Sequence, residues 1–579
     1  MLKRWTLNIP VLLLLMSLAM NLMAATLVVK IDGVSKEQEQ NIRSMLSLES
    51  LQSKAVASDS RLRYLYGKAE NEISKALQPF GLYRPEISSQ LTEGEQGWVA
   101  QFNITPGPVL LINTLDMQLL GEALQDDAFN KLFSGSPLRN GTPLIHSVYE
   151  DMKKKVNSLA AERGFYQGEF TEHRVEVDLV TYQANIVLHY DSGPRFRIGE
   201  VVFSESPLSD DFLMRYLPFK KGDPVQSGKL LDLQGALVDS DYFQRVEVRP
   251  LWGQAVGAEV PVEVTLDAHK RTKYRAGIGY GTDTGARTTL GVTRRWVNKQ
   301  GHQFNTQLRA SEIRNNLAAE YSIPGLRPQQ DRYAVNLSLN EENSDNVETS
   351  NRLLGVSWQK QQGRWQQVAA LGFQQEDFTI GSETTQTTFL IPRISLSMVS
   401  TKDRLNVQNG YRLTLQALGG SDVLLSDTNF VQLRLGAKAV HSFTPKLRLL
   451  GRADVGLTFV DDFDKLPVSQ RFFAGGDNSV RGYEYQSLSP KDDSGDGLGG
   501  QNLLVGSLEV DYRLKGNWGV ATFIDAGNAF EGTDTDLHIG VGVGLRWFSP
   551  IGPVRIDLAI PQSGDENGIR LHLNLGPDL

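Results

Sequence analysis

The chain has 579 residues, a formal net charge of −8 and no cysteine. The length predicts more than one domain, and the negative charge gives no support to a nucleic-acid partner. The lack of cysteine excludes disulfide bonds and thiol catalysis.

The N-terminus has the pattern of a secretory signal peptide. Lys3 and Arg4 precede an apolar stretch at residues 11–20, and small residues follow at 24–25. The apolar stretch is shorter than the roughly 20 residues that a transmembrane helix needs, so an uncleaved anchor is the weaker interpretation. We therefore assign residues 1–25 to a signal peptide and expect the mature chain to be exported.

Residues 26–267 combine helical periods with extended segments, in an order that recurs three times. Ser35 and Gln38 predict a capping box at the start of the first helix. The segment Gly107–Ile112 is echoed by Gly193–Ile198. Each copy has the order strand, helix, helix, strand, strand over roughly 80 residues, which is long enough for a small α+β domain. We place the copies at residues 26–105, 106–192 and 193–267.

Residues 268–579 lack helical periods and alternate apolar with polar or small residues. In the stretch 537–547 every second residue is apolar, and His, Gly or Arg stand between. This period of two predicts strands whose faces meet different media, which suits an all-β transmembrane barrel better than a soluble sandwich, although the pattern alone leaves both open. At roughly 10 residues per tilted strand, about 16 antiparallel strands fit; 14 or 18 are also compatible with the spacing.

Near the C-terminus the alternation places two acidic residues inside the predicted barrel. With Leu508 and Val510 facing lipid, Glu509 must face inward, and with Ile524 facing lipid, Asp525 must do the same. These acids lie on adjacent strands and are expected to be close neighbours. An arginine between the two carboxylates would relieve their repulsion through charge-assisted hydrogen bonds.

A glycine-rich loop, Arg471–Tyr483, precedes these strands and contains Val480-Arg481-Gly482-Tyr483. Together with the segments Phe523–Asn528 and Gly544–Asp557, this motif resembles the Omp85 family of outer-membrane assembly proteins, and the resemblance covers nearly the whole chain. It implies that the three repeats are POTRA domains, which are periplasmic modules with a groove that accepts an extended peptide by strand addition. Inert spacer domains are the alternative.

The resemblance also implies a role for the four motif residues Val480, Arg481, Gly482 and Tyr483. In this family the loop folds back into the barrel, and its arginine meets acids at the positions of Glu509 and Asp525. Glycine lets the backbone turn, and tyrosine supplies a rigid wedge. We expect the motif to pin the loop inside the lumen; a solvated extracellular loop is the alternative.

The first and last strands of a closed barrel form the only seam between chain ends. Glycines along both strands predict a weak seam, because glycine reduces strand order and packing. The candidate seam residues are Tyr274, Gly277, Gly279, Gly568 and Gly576.

No catalytic motif is found, neither a nucleophile elbow nor a metalloprotease helix, so we expect no enzyme activity, no cofactor and no metal. Three repeats point, within the family, to the barrel subunit of the translocation and assembly module. This resemblance implies a Gram-negative outer-membrane location, with the POTRA domains in the periplasm.

The same resemblance implies insertion of outer-membrane β-barrel proteins, autotransporters especially, by opening of the seam into outer-membrane lipid and strand templating. The implied partner is a TamB-like protein anchored in the inner membrane, with phospholipid transport between the membranes as a second role. A two-partner secretion transporter that exports one soluble client is an alternative, and a passive porin is another.

Overall fold

A computed structural model describes residues 26–52, 58–94, 97–281, 285–343, 348–380, 383–403, 406–493, 495, 497–533, 535–549, 552–563 and 568–575. The predicted signal peptide, residues 1–25, and Gly576 lie outside the described residues.

The chain divides into two compact units. One unit extends to Val201 and includes Phe219–Leu231 and Pro250–Val262. The other comprises Val202–Pro218, Asp232–Arg249 and Glu263–Leu579.

The first repeat has the elements β1 (Thr26–Asp32), α1 (Lys36–Met45), α2 (Asp59–Leu77), β2 (Glu86–Gly94) and β3 (Gly97–Thr105). Its sheet has the order β1-β3-β2, with β1 parallel and β2 antiparallel to the central strand. The predicted capping box is confirmed, because Ser35 Oγ accepts from the Gln38 backbone and the Gln38 side chain accepts from the Ser35 backbone. The helices cover one face of the sheet through Leu62, Ile73 and Phe102, which are fully buried.

The second and third repeats have the same order of elements. The second contains β4 (Leu111–Leu120), α3 (Asp127–Ser134), α4 (His146–Arg163), β5 (Glu169–Asp178) and β6 (Gln183–Asp191), with the sheet order β4-β6-β5. The third contains β7 (Arg197–Phe203), α5 (Asp210–Met214), α6 (Ser227–Asp239), β8 (Phe243–Pro250) and β9 (Glu259–Ala268), with the sheet order β7-β9-β8. None of the helices in the described ranges is both long and apolar enough to cross a membrane.

The remaining strands form one sheet of 16, in which each strand pairs with the next along the chain and successive pairs are antiparallel. The strands are β10 (Thr272–Gly281), β11 (Gly285–Arg294), β12 (Gln303–Ser311), β13 (Arg314–Pro324), β14 (Asp331–Asn343), β15 (Glu348–Gln362), β16 (Trp365–Ile380), β17 (Glu383–Thr401), β18 (Gly410–Gly420), β19 (Phe430–Ser442), β20 (Leu447–Val460), β21 (Asn502–Arg513), β22 (Trp518–Phe530), β23 (His538–Ser549), β24 (Gly552–Pro561) and β25 (Arg570–Leu575). The predicted fold class is confirmed: three β-α-α-β-β repeats precede a nearly closed barrel of 16 antiparallel strands.

The two faces of the barrel strands differ as the alternation predicts. In β22, Val520 and Ile524 are exposed on the outer face, whereas Phe523 and Asp525 are buried on the inner face. Large apolar side chains on an outer surface are stable in contact with lipid, and buried charges inside require partners. The inner partners come from the connection between β20 and β21.

The part of that connection at residues 471–485 turns into the barrel. We call residues 471–485 the arginine loop. Phe472, Val480 and Tyr483 are buried in one apolar cluster with Leu503 and Val505 of β21. The candidate site lies beside this cluster, on the inner face of the surrounding barrel strands.

Candidate functional site

Arg481 is buried among three acids on the inner face of the barrel. Its Nη1 donates to Glu509 Oε2 at 2.8 Å and to Asp557 Oδ2 at 2.9 Å. Its Nε and Nη2 donate to the two oxygens of Asp525 at 2.7 and 3.0 Å, and its backbone N–H donates to Asp525 Oδ2 at 3.0 Å. The guanidinium thus binds one carboxylate in bidentate fashion and contacts the other two with its remaining donors.

The strand register explains how two of these acids reach one arginine. Glu509 lies opposite Phe523, and Asp525 lies opposite Ser507, so the acids are diagonal neighbours across the ladder of β21 and β22. The guanidinium of Arg481 lies 3.4 Å from the centroid of the Phe523 ring. The ring and the two acids therefore fix the plane of the guanidinium.

A second buried arginine extends the network. Arg546 of β23 is fully buried, donates from Nη2 to Glu509 Oε1 at 2.8 Å and pairs through Nη1 with Asp557. Arg481 and Arg546 therefore share the carboxylates of Glu509 and Asp557, and Arg481 also binds Asp525. Arg546 Nε lies 3.4 Å from Asp511 Oδ1 as well, and Asp511 pairs with a further buried arginine, Arg448. Buried charges are tolerated only when they are paired and hydrogen-bonded in this way.

The other motif residues are also buried. Gly482 has φ of +102°, a left-handed conformation that favours glycine. Tyr483 Oη lies 2.6 Å from the carbonyl oxygen of Ser563 and 3.0 Å from that of Ile539. With Val480 fully buried, all four motif residues are fixed inside the barrel, and the solvated-loop alternative does not describe them.

The loop backbone docks against β23 at a glycine. A Cβ atom on Gly540 would lie 1.8 Å from the carbonyl oxygen of Arg481, and a Cβ atom on Gly544 would lie 1.8 Å from Asp557 Oδ1. Any side chain at these positions would displace the loop or the acid. The glycine run of β23 therefore makes room for the network.

Sequence reasoning brought Arg481, Glu509 and Asp525 together but did not include Asp557 or Arg546. The alternation contained the signal for both. Ile556 and Leu558 are exposed on the outer face, which turns Asp557 inward, and Arg546 occupies an inward position of β23 by the same pattern. The pattern does not specify which inward-facing residues contact Arg481, because its partners lie as many as 76 residues away in the sequence.

Three of the candidate seam residues lie on the first strand of the sheet, whereas Gly568, predicted to belong to the last strand, precedes it. Tyr274, Gly277 and Gly279 belong to β10, and Gly568 stands two residues before β25 with φ of +117°. Throughout the described ranges, no ladder pairs β10 with β25. Within the same residues, no group of three or more His, Cys, Asp or Glu side chains is placed to hold a metal ion.

A family model described as "Omp85 superfamily domain" matches residues 270–578. The chain belongs to the Omp85 superfamily. A second model, "POTRA domain TamA domain 1", matches residues 28–106 and identifies the first repeat as a POTRA domain similar to that of TamA. As an Omp85 protein, the chain lies in the Gram-negative outer membrane with its POTRA domains in the periplasm, as the sequence predicted.

Two curated proteins are similar to this chain in sequence. Outer membrane protein assembly factor BamA of Nitratidesulfovibrio vulgaris is 22% identical over 527 residues, which cover 83% of this chain and 64% of that protein. BamA of Neorickettsia risticii is 30% identical over 137 residues, which cover 21% of this chain and 18% of that protein. The chain thus spans less than two thirds of the length of these relatives.

A solved structure has the same fold. The crystal structure of BamA from Haemophilus ducreyi lacking POTRA domains 1–3 matches with a TM-score of 0.69 at 14% identity. The match covers 81% of this chain and 99% of that one.

Proposed function

We propose that this protein inserts and folds β-barrel proteins, autotransporters especially, in the outer membrane. The observation that carries the proposal is the seam between the end strands: among the described residues, β10 and β25 form no ladder, although every pair of strands that follow one another along the chain does. An unpaired strand edge is a template for another strand. Opening of the seam would present that edge to lipid, where a client barrel must finish.

The proposed mechanism begins with lateral opening of the seam. The exposed edge of β10 pairs with a client strand, since every backbone N–H and C=O within lipid needs a partner. Further client strands add to this hybrid sheet until the client closes and leaves. Burial of the client's apolar band in lipid drives the process, so the proposal needs no enzyme activity, nucleotide or metal.

The POTRA domains supply edges for earlier contacts with clients. β2 is an edge strand of the first domain, and β5 is an edge strand of the second. An extended client segment can add to such an edge through backbone hydrogen bonds with little sequence specificity. We propose that they receive clients in the periplasm, together with a TamB-like partner, and that phospholipid transport with that partner is a second role.

Export of a soluble client through the lumen is the competing function. The arginine loop speaks against it, because Arg481 and Tyr483 are held inside the barrel by hydrogen bonds to β21, β22, β23 and β24. A client passing through the lumen would have to displace this network. Insertion at the seam does not require a client to pass through this network.

A disulfide across the seam tests the proposal. The chain has no cysteine, so pairs introduced along residues 273–281 and 570–575 report on the seam alone. We expect oxidised pairs to lose insertion of a labelled client barrel at least tenfold, and reduction to restore it. A control disulfide at Ala276 and Leu290, which face each other in the β10–β11 ladder, should not change insertion.

If the seam-tied protein inserts clients normally, lateral opening is wrong. If it also continues to export a soluble client, the secretion alternative is supported. A positive counterpart is crosslinking of a stalled client to residues 274–280 of β10, which the proposal requires and transport through the lumen does not.

A further inference from the structure

The last strand is bound on its inner face by the arginine loop. Three alternate residues of β25 contact the loop in succession. Arg570 Nη2 donates to Glu484 Oε1 at 2.9 Å, and Asn574 Nδ2 donates to Asn478 Oδ1 at 3.2 Å. Between them, His572 makes two contacts of its own. The lumenal face of β25 is therefore bound to the loop at three successive inward-facing residues.

The contacts of His572 fix its tautomer. The backbone N–H of Gly482 lies 2.9 Å from His572 Nε2, and Asp477 Oδ1 lies 2.7 Å from His572 Nδ1. A backbone N–H can only donate, so Nε2 must be an unprotonated acceptor. Nδ1 then carries the proton and donates to Asp477. The side chains of His572 and Asp477 are each only 6% exposed, so water does not readily replace either contact.

The contact between His572 and Gly482 lies next to the ion network. Gly482 follows Arg481, whose guanidinium binds acids of β21, β22 and β24. Across the ladder, His572 also lies opposite Asp557, one of those acids. The imidazole of His572 thus connects the last strand to the arginine loop at Gly482, next to the acids that bind Arg481.

We propose that His572 is a positioning residue that couples the last strand to the arginine loop, so that the seam between β10 and β25 opens only when the loop is released. The inference rests on the proposed function, in which seam opening is the working step. The loop then has a second role, because it restrains the strand that must move as well as stabilising the barrel wall.

Two isosteric substitutions separate this role from packing. His572→Gln places an amide oxygen near the position of Nε2 and retains an acceptor for Gly482. His572→Asn retains a polar group near Nδ1, facing Asp477, but does not reach Gly482. Coupling through Nε2 therefore requires that the glutamine variant behave like the native protein and that the asparagine variant not do so.

Two client-free measurements on the full-length protein in membranes report the outcome. Spin labels on cysteines at Ile278 of β10 and Leu571 of β25, both exposed on the outer face, give the distance distribution across the seam. A separate cysteine at Ala474, which is 1% exposed in the loop, gives the rate of reaction with a thiol reagent. We expect His572→Asn to widen the distribution at least twofold and to raise the labelling rate about tenfold, and His572→Gln to change neither.

The proposal is overturned if both variants behave like the native protein, if both are altered equally, or if the seam widens while the cysteine at position 474 stays protected. If His572→Asn does not fold, His572→Thr, whose hydroxyl is too short to reach the backbone N–H of Gly482 and whose branched side chain suits a strand, replaces it with the same expectations. Neither measurement uses a client. The coupling between His572 and the loop can therefore be tested even if the seam-disulfide experiment contradicts the insertion proposal.

Discussion

At the scale of single residues, the position of the arginine loop is determined mainly by buried ion pairs between arginines and acids. Removing one partner from a buried ion pair leaves an uncompensated charge and typically costs about 3–5 kcal/mol. The network formed by Arg481 and Arg546 with Glu509, Asp525 and Asp557 therefore stabilises the loop position more than exposed pairs elsewhere in the barrel do.

We predict that Arg481→Glu impairs client insertion while the chain remains inserted in the membrane, because a fourth carboxylate replaces the central cation. The free energy of unfolding should fall by about 3–5 kcal/mol, measured by the loss of heat-modifiable migration in gels. Arg481→Lys, which keeps the charge but loses the bidentate contact, should have a smaller effect.

A matched control is Arg434→Glu. Arg434 pairs with Asp454 through Nε at 3.0 Å, but its side chain is 47% exposed. Loss of such a pair should cost about 0–1 kcal/mol. Full activity of Arg481→Glu, or equal damage from both charge reversals, would contradict the role assigned to the loop.

At the scale of elements, the turn between β11 and β12 is fitted to the third POTRA domain. Gly301 in this turn has φ of +74°, and a Cβ atom there would lie 2.4 Å from Phe212 Cζ and 2.9 Å from Tyr242 Oη. Arg295, the residue after β11, pairs with Asp241 at 3.1 Å. These contacts, within one compact unit, hold helix α5 and the start of β8 against the first barrel hairpins.

We predict that Gly301→Ala loosens this contact, since the added methyl group overpacks it at a cost of about 1–3 kcal/mol beyond the left-handed strain. Gly363→Ala, in the turn between β15 and β16, is the control: φ is +59° and nothing lies within 4 Å of the added atom. Protease cleavage between residues 203 and 272 should accelerate in the first variant only. Equal rates would mean that the turn does not restrain the domain.

The elements show which parts of the fold and site were predictable. The period of two fixed the inward direction of Glu509 and Asp525, and the strand length gave the count of about 16. The register did not follow from the pattern: the structure places Phe523, not Asp525, opposite Glu509. The contacts of Asp557 and His572 with the loop, and of Arg546 with the acids that bind Arg481, depend on how the sheet curves around the loop, which no local pattern encodes.

At the scale of the whole molecule, the arginine loop occupies the lumen of a barrel whose strands face lipid outside. We predict that the native protein conducts ions weakly in planar bilayers, because the docked loop obstructs the lumen. Arg481→Glu should raise the conductance severalfold by freeing the loop, and Arg434→Glu should not. A large, steady conductance of the native protein would instead favour a passive porin.

The link between Arg481 and Asp557 spans 76 residues and joins the arginine loop to a strand that is synthesised well after it. Contacts of such high contact order form late, because the entropy of closing long loops is lost before they contribute stability. The arginine must therefore be threaded into place when most of the wall already exists. We infer that the biogenesis of this protein ends with docking of that segment, so a barrel stalled before this step would be fully membrane-embedded yet immature.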